Sequence, residues 1–252
     1  MVAHSAGARG TAPQRPSATS VDAVLPRGLP WATQWRILVD AARAAIPQDL
    51  SLILYGSRVS GYARDDSDYD LLAVVSNKAL LNSRKALADE IQGATGLPVD
   101  LNLGTLTGLK TRSLLDPYVQ YTVATGVQVP PGRIRLSPLS RQGIEDALIC
   151  VELDIDDIRE ADPAQVTQPM VLHVAKQLAV LSQALDSRYS AQAYGRMVWE
   201  GVRLPIQQAV CIMVQRVEEI RQRLAQVSAN PGDAALVQYV GRERQQRHEQ
   251  AH

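Results

Sequence analysis

Apolar positions along the chain change their period near residue 132, and the change divides the sequence in two. Trp31, Trp35, Leu38, Ala42 and Ile46 recur at helical spacing, and Pro47 closes that helix. Two short apolar runs follow, Leu52 to Tyr55 and Tyr69 to Val75, the first closed by Gly56-Ser57; both read as buried strands. Val99 to Leu103, introduced by Gly96 and Pro98, is a third strand. A helix is expected from Asn77 to about Gln92, another from Leu106 to Thr125, and a short strand at Val127-Gln128-Val129. Helices alternating with strands predict a mixed α/β domain over residues 30–132, ended by Pro130-Pro131-Gly132.

The second half reads as helix throughout. Ile144, Ala147, Leu148, Val151, Ile155 and Ile158 form one apolar stripe, and Val171, Val174, Leu178, Leu181 and Leu185 form a second. A third runs through Ile206, Val210, Met213, Val217, Ile220 and Leu224. These faces predict an all-α bundle over residues 137–228, and the heptad-like third stripe offers itself to a homodimer. Residues 1–29, rich in Ala, Ser, Thr, Gly and Pro, are expected to be a disordered tail, and residues 229–252 a polar one.

Charge refines this picture by exclusion. The 252 residues hold 26 Lys and Arg against 26 Asp and Glu, so a basic surface for nucleic acid spread over the whole chain is not expected. There is no phenylalanine, and aromatics make up 4%, few for a platform that stacks bases. No apolar run reaches the roughly 18 residues of a membrane span. Cys150 and Cys211 form neither a disulfide framework nor a metal-ligand pattern. The expectation is a cytoplasmic protein without a membrane partner.

The chemistry concentrates between Leu54 and Val75. A strand runs into Gly56-Ser57, and the next strand opens with Asp68 and Asp70. Positions i and i+2 of a strand face the same way, so the two carboxylates stand side by side, a pairing that attracts Mg²⁺. Gly56 permits close backbone approach to a phosphate, and Ser57 adds a hydroxyl donor. Asp100 opens the third strand; three carboxylates on adjacent strands could hold two metal ions for in-line displacement at phosphorus. Arg58 is balanced between a triphosphate contact and a surface position.

Gly56-Ser57-Arg58 with Gly61, ten residues of spacer after Ser57, then Ser67-Asp68-Tyr69-Asp70-Leu71 and a later Asp100, resembles the nucleotidyltransferase superfamily related to DNA polymerase β, in its minimal branch. The resemblance implies transfer of a nucleoside monophosphate, with ATP the expected donor, to an acceptor with release of pyrophosphate. Gly56 and Ser57 would hold the triphosphate, Asp68, Asp70 and Asp100 the metals, and Asp100 could help take the acceptor's proton. Related enzymes send a lysine from the helical domain to the phosphates, which singles out Lys176.

Size and order also resemble aminoglycoside nucleotidyltransferases of antibiotic resistance, and the pairing of minimal nucleotidyltransferases with HEPN-type helical partners in toxin–antitoxin modules. Residues 143–162 carry eight acids and one base, Arg159, a net −7 that suits a small cationic acceptor or a solvated helix face. A protein or RNA acceptor is the alternative reading, and a non-catalytic nucleotide-binding scaffold a third. Arg242 and His248 match a HEPN ribonuclease spacing by count but sit in the polar tail. His173 reads as a packed or capping residue.

Overall fold

The computed structural model describes residue 25, residues 28–46, 51–132 and 134–226, and residue 233. Four strands form one sheet in the order β3-β2-β1-β4: β1 (Ser51–Tyr55), β2 (Tyr69–Val74), β3 (Val99–Gly104) and β4 (Val127–Val129). β1 runs antiparallel to both β2 and β4, whereas β2 and β3 are parallel. The parallel pair needs a crossover, and the segment between those strands supplies it with a 3₁₀ turn (Lys78–Ser83) followed by α3 (Arg84–Thr95).

Alternation along the strands separates two cores. Tyr69, Leu71, Ala73 and Val75 point to the face covered by α1 (Ala32–Ala45) and α3, where they meet Trp35, Leu38, Leu87 and Ile91. Ile53, Leu72 and Val74 point to the other face and meet Leu109 of α4 (Leu106–Arg112) and Val119 and Val123 of α5 (Pro117–Thr125). Leu25 and Leu29, in the segment expected to be a tail, pack against the first core.

The single helix expected over 106–125 is two. Pro117 has no N–H to continue a helix and sits at the start of α5, while the Asp116 carboxylate accepts from the N–H groups of Tyr118 and Val119.

The helical part contains α6 (Arg141–Glu160), α7 (Gln168–Ala184), α8 (Ala191–Val202) and α9 (Ile206–Gln226). Ile144, Leu148, Val151, Ile155 and Ile158 of α6 share one core with Val171, Val174, Leu178 and Leu181 of α7 and with Met213, Val217, Ile220 and Leu224 of α9. The third stripe is therefore buried within its own chain, which removes it as a dimer face. Among the described residues no helix is long and apolar enough to cross a membrane. The expected polar tail and the pair Arg242 and His248 lie outside the described residues, apart from Asp233, whose carboxylate accepts from the Arg141 N–H at 2.6 Å.

Candidate active site

Strand register assembles the site. Tyr55, Asp70 and Asp100 are direct partners across β1, β2 and β3, and they form one row on the sheet face opposite Tyr69. Farther along the strands that face is apolar, with Ile53, Leu72 and Val74; the row is its polar rim. Asp68, two residues before Asp70, is exposed at the mouth.

Gly56 and Asp70 touch. A Cβ built on Gly56 would stand 1.8 Å from an Asp70 carboxylate oxygen, and φ at Gly56 is +80°, a conformation that L side chains rarely adopt. Both facts demand glycine here. The turn continues into the four-residue helix α2 (Ser57–Ser60), closed by Ser60 N–H donating to the Gly56 carbonyl at 3.0 Å and Tyr62 N–H donating to the Ser57 carbonyl at 3.0 Å.

The Asp70 carboxyl is pushed up to about 7, first by burial and then by the negative charges of Asp100 and Asp68; Lys176 of α7 pulls the other way. Lys176 thus comes from the helical part to within electrostatic reach of Asp70. Tyr55 is pushed up to about 12, chiefly by burial and the neighbouring Asp70, and its hydroxyl accepts from Asn102 Nδ2 at 2.8 Å.

Asp100 has its own partner. Arg84, at the start of α3, places Nη2 2.7 Å from Asp100 Oδ1 and donates from Nε to the Leu101 carbonyl. Among the described residues no three His, Cys, Asp or Glu side chains are gathered as a ready-made metal cage. Asp68 and Asp70 do suit a hard cation that takes one or two carboxylates and completes its shell with water and substrate oxygens, which would relieve the burial and the crowding of negative charge by Asp100 and Asp68 that raise the Asp70 pKa. Arg84 engages Oδ1 of Asp100 and offsets its charge.

Six of the seven residues singled out in the sequence, Gly56, Ser57, Asp68, Asp70, Asp100 and Lys176, converge here. Arg58 does not. It is 5% exposed, its guanidinium lies 5.0 Å from the Trp31 ring centroid and 4.2 Å from that of Tyr69, and it donates to the carbonyls of Ser67 and Asp65. Arg58 is neither a surface residue nor aimed at phosphate; it pins the loop that carries Asp68. Tyr55, Arg84 and Asn102 join the site without having been foreseen. Asn102 follows Asp100 at strand period, a signal that was present, whereas Arg84 meets Asp100 only through the fold.

Among the described residues, three of the eight acids in the acidic segment are paired with arginines. Glu145 pairs with Arg141, Asp156 with Arg159, and Glu152 with Arg221 of α9. Asp154 instead faces α7, where its Oδ2 accepts from Gln177 Nε2 at 2.9 Å and lies 3.7 Å from His173 Nε2. The His173 side chain is 63% exposed, so the packed position expected for it is not found.

Residues 48–109, which include Gly56, Ser57, Asp68, Asp70 and Asp100, match the family described as polymerase beta, nucleotidyltransferase, and this part of the chain is a domain of the DNA polymerase β-like nucleotidyltransferase superfamily. No curated protein matches the chain.

Proposed function

From that superfamily domain, we propose that the protein moves a nucleoside monophosphate, AMP from ATP, to an acceptor and releases pyrophosphate. The observation that carries this reading is the contact of Gly56 with Asp70, which sets a phosphate-holding turn directly against a carboxylate suited to a divalent cation. Gly56 and Ser57 hold the triphosphate, Asp68 and Asp70 hold Mg²⁺, and Lys176 adds a positive charge from the opposite wall. Bound Mg²⁺ supplies positive charge at the phosphoryl oxygens as negative charge develops there. The acceptor oxygen forms its bond to the α-phosphorus as the bond to the bridging oxygen breaks, and the acceptor's proton passes to a carboxylate of the row, for which Asp100 is the candidate.

Asp154 supports a small cationic acceptor, because it is a carboxylate of the acidic segment turned toward α7, where its partner Gln177 directly follows Lys176. Incubation with Mg²⁺, each of the four labelled nucleoside triphosphates and a panel of aminoglycosides, proteins and RNA tests the proposal. Label should pass from ATP to a cationic small molecule, and Asp68→Asn or Asp70→Asn should lower the rate at least about a hundredfold. Undiminished transfer by both variants would overturn the site, and a wild-type protein that binds no nucleotide would overturn the activity.

A further inference from the structure

The turn that carries Gly56 and Ser57 is gripped from the helical half of the molecule. Tyr62 closes that turn through its backbone, and its ring reaches across to α8. There it lies in a notch made by Gly195: a Cβ on Gly195 would stand 1.9 Å from Tyr62 Cε2 and 2.0 Å from Cζ. The Tyr62 hydroxyl donates to the Gln192 carbonyl at 3.1 Å, one turn earlier on the same helix. Glycine inside a helix is destabilising relative to alanine, so local preference argues against Gly195. The ring seated over it supplies the reason for its presence.

A second contact runs beside the first. Tyr121 of α5 lies 4.7 Å from Tyr194 and 6.4 Å from Tyr189, ring centroid to ring centroid. Burial raises the pKa of all three hydroxyls, and the buried Tyr121 hydroxyl has no hydrogen-bond partner among the described residues. Within the turn itself, Ser60 donates from Oγ to the Gly56 carbonyl at 2.8 Å. The path from α8 to the turn therefore runs through Tyr62, whose backbone N–H holds the Ser57 carbonyl.

We propose that α8 is the positioning element of the triphosphate turn, and that Tyr62, seated in the Gly195 notch, is the positioning residue through which the helical half sets nucleotide affinity. This rests on the reading of Gly56 and Ser57 as the triphosphate holders. A turn held from one side only would trade its closing hydrogen bonds with water and offer the phosphates a spread of geometries. Held also by α8, it meets them preorganised.

The test combines Gly195→Ala, Tyr62→Ala and the double variant, with two readouts on the full chain. Amide hydrogen exchange at Ser60 and Tyr62 is followed without nucleotide, and the dissociation constant for ATP is measured with Mg²⁺. Gly195→Ala should speed exchange at those two amides and weaken ATP binding about tenfold while leaving the urea midpoint near that of the wild type. In the Tyr62→Ala background the same change should cost less than about twofold, because the ring it collides with is gone. Binding of ATP by Gly195→Ala as tight as by the wild type, or equal losses in both backgrounds, overturns the proposal. Faster exchange in a protein whose wild type binds no ATP sinks the nucleotide reading of the turn, and the proposal with it.

Discussion

Asp70 stands between Tyr55 and Asp100 in the sheet and against Gly56 in the turn, and the surroundings move its carboxyl from 3.8 to about 7. An acid whose pKa is higher in the fold than in the unfolded chain binds more protons in the fold between the two values. Its contribution to stability therefore falls as pH rises through that window and levels off above about 7. At about 1.4 kcal/mol per pH unit the loss amounts to a few kcal/mol at most. In the cation-free protein, Asp70→Asn should raise stability at pH 8 and leave it nearly unchanged at pH 4, as read from urea midpoints. Adding Mg²⁺ at pH 8 should stabilise the wild type and not the variant. Equal midpoints for both proteins at pH 8 would show that Asp70 carries no such burden. Gly56 and Asp70 were legible in the sequence because a turn and a strand opening each leave a local mark. Arg84 left none: its partner is 16 residues away, and only the crossover brings them together.

The elements around the site show where local pattern suffices. The stripes of α6, α7 and α9 are buried as their spacing requires, because each faces one common core. α8 was expected only as part of a helical second half, with no stripe assigned to it. Its apolar positions Ala191, Tyr194, Val198 and Val202 do recur at helical spacing, but of its residues 191–198 only Gly195 and Val198 are buried, and its seat depends on a tyrosine 130 positions earlier in the chain. The loop between α2 and β2 also depends on something that sequence spacing does not display, the Arg58 side chain folded back between Trp31 and Tyr69. Arg58→Met keeps the stem and removes the donors, leaving the carbonyls of Ser67 and Asp65 without their partner. That should destabilise the protein by about 2–4 kcal/mol, and Arg58→Lys should recover little, since a point charge cannot reproduce the planar fork. Full recovery by lysine in a urea titration would reduce Arg58 to a simple positive charge.

At the scale of the whole molecule, the acidic stretch proves to be several unlike carboxylates. Glu145, Glu152 and Asp156 are spent on arginines, while Asp154 looks toward α7 with a half-buried side chain. Asp154→Asn should raise KM for a cationic acceptor about tenfold, whereas Asp156→Asn combined with Asp157→Asn should change it less than about twofold. Steady-state kinetics with varied acceptor decides this, and equal effects of the two sets would return the stretch to the role of a diffuse solvated face. Composition had shown the segment's net charge but not its pairing, because the neutralising Arg221 arrives from a different helix.

The notch over Tyr62 also bears on how freely such molecules can exchange parts. A helical bundle grafted in place of this one would need, at a single height on one helix, a residue whose entire side chain is a hydrogen atom. Gene fusion can join any two coding segments, but only bundles with that gap would close on this α/β half without forcing its loop aside. The seam is a fitted joint, and the two halves are expected to be inherited together.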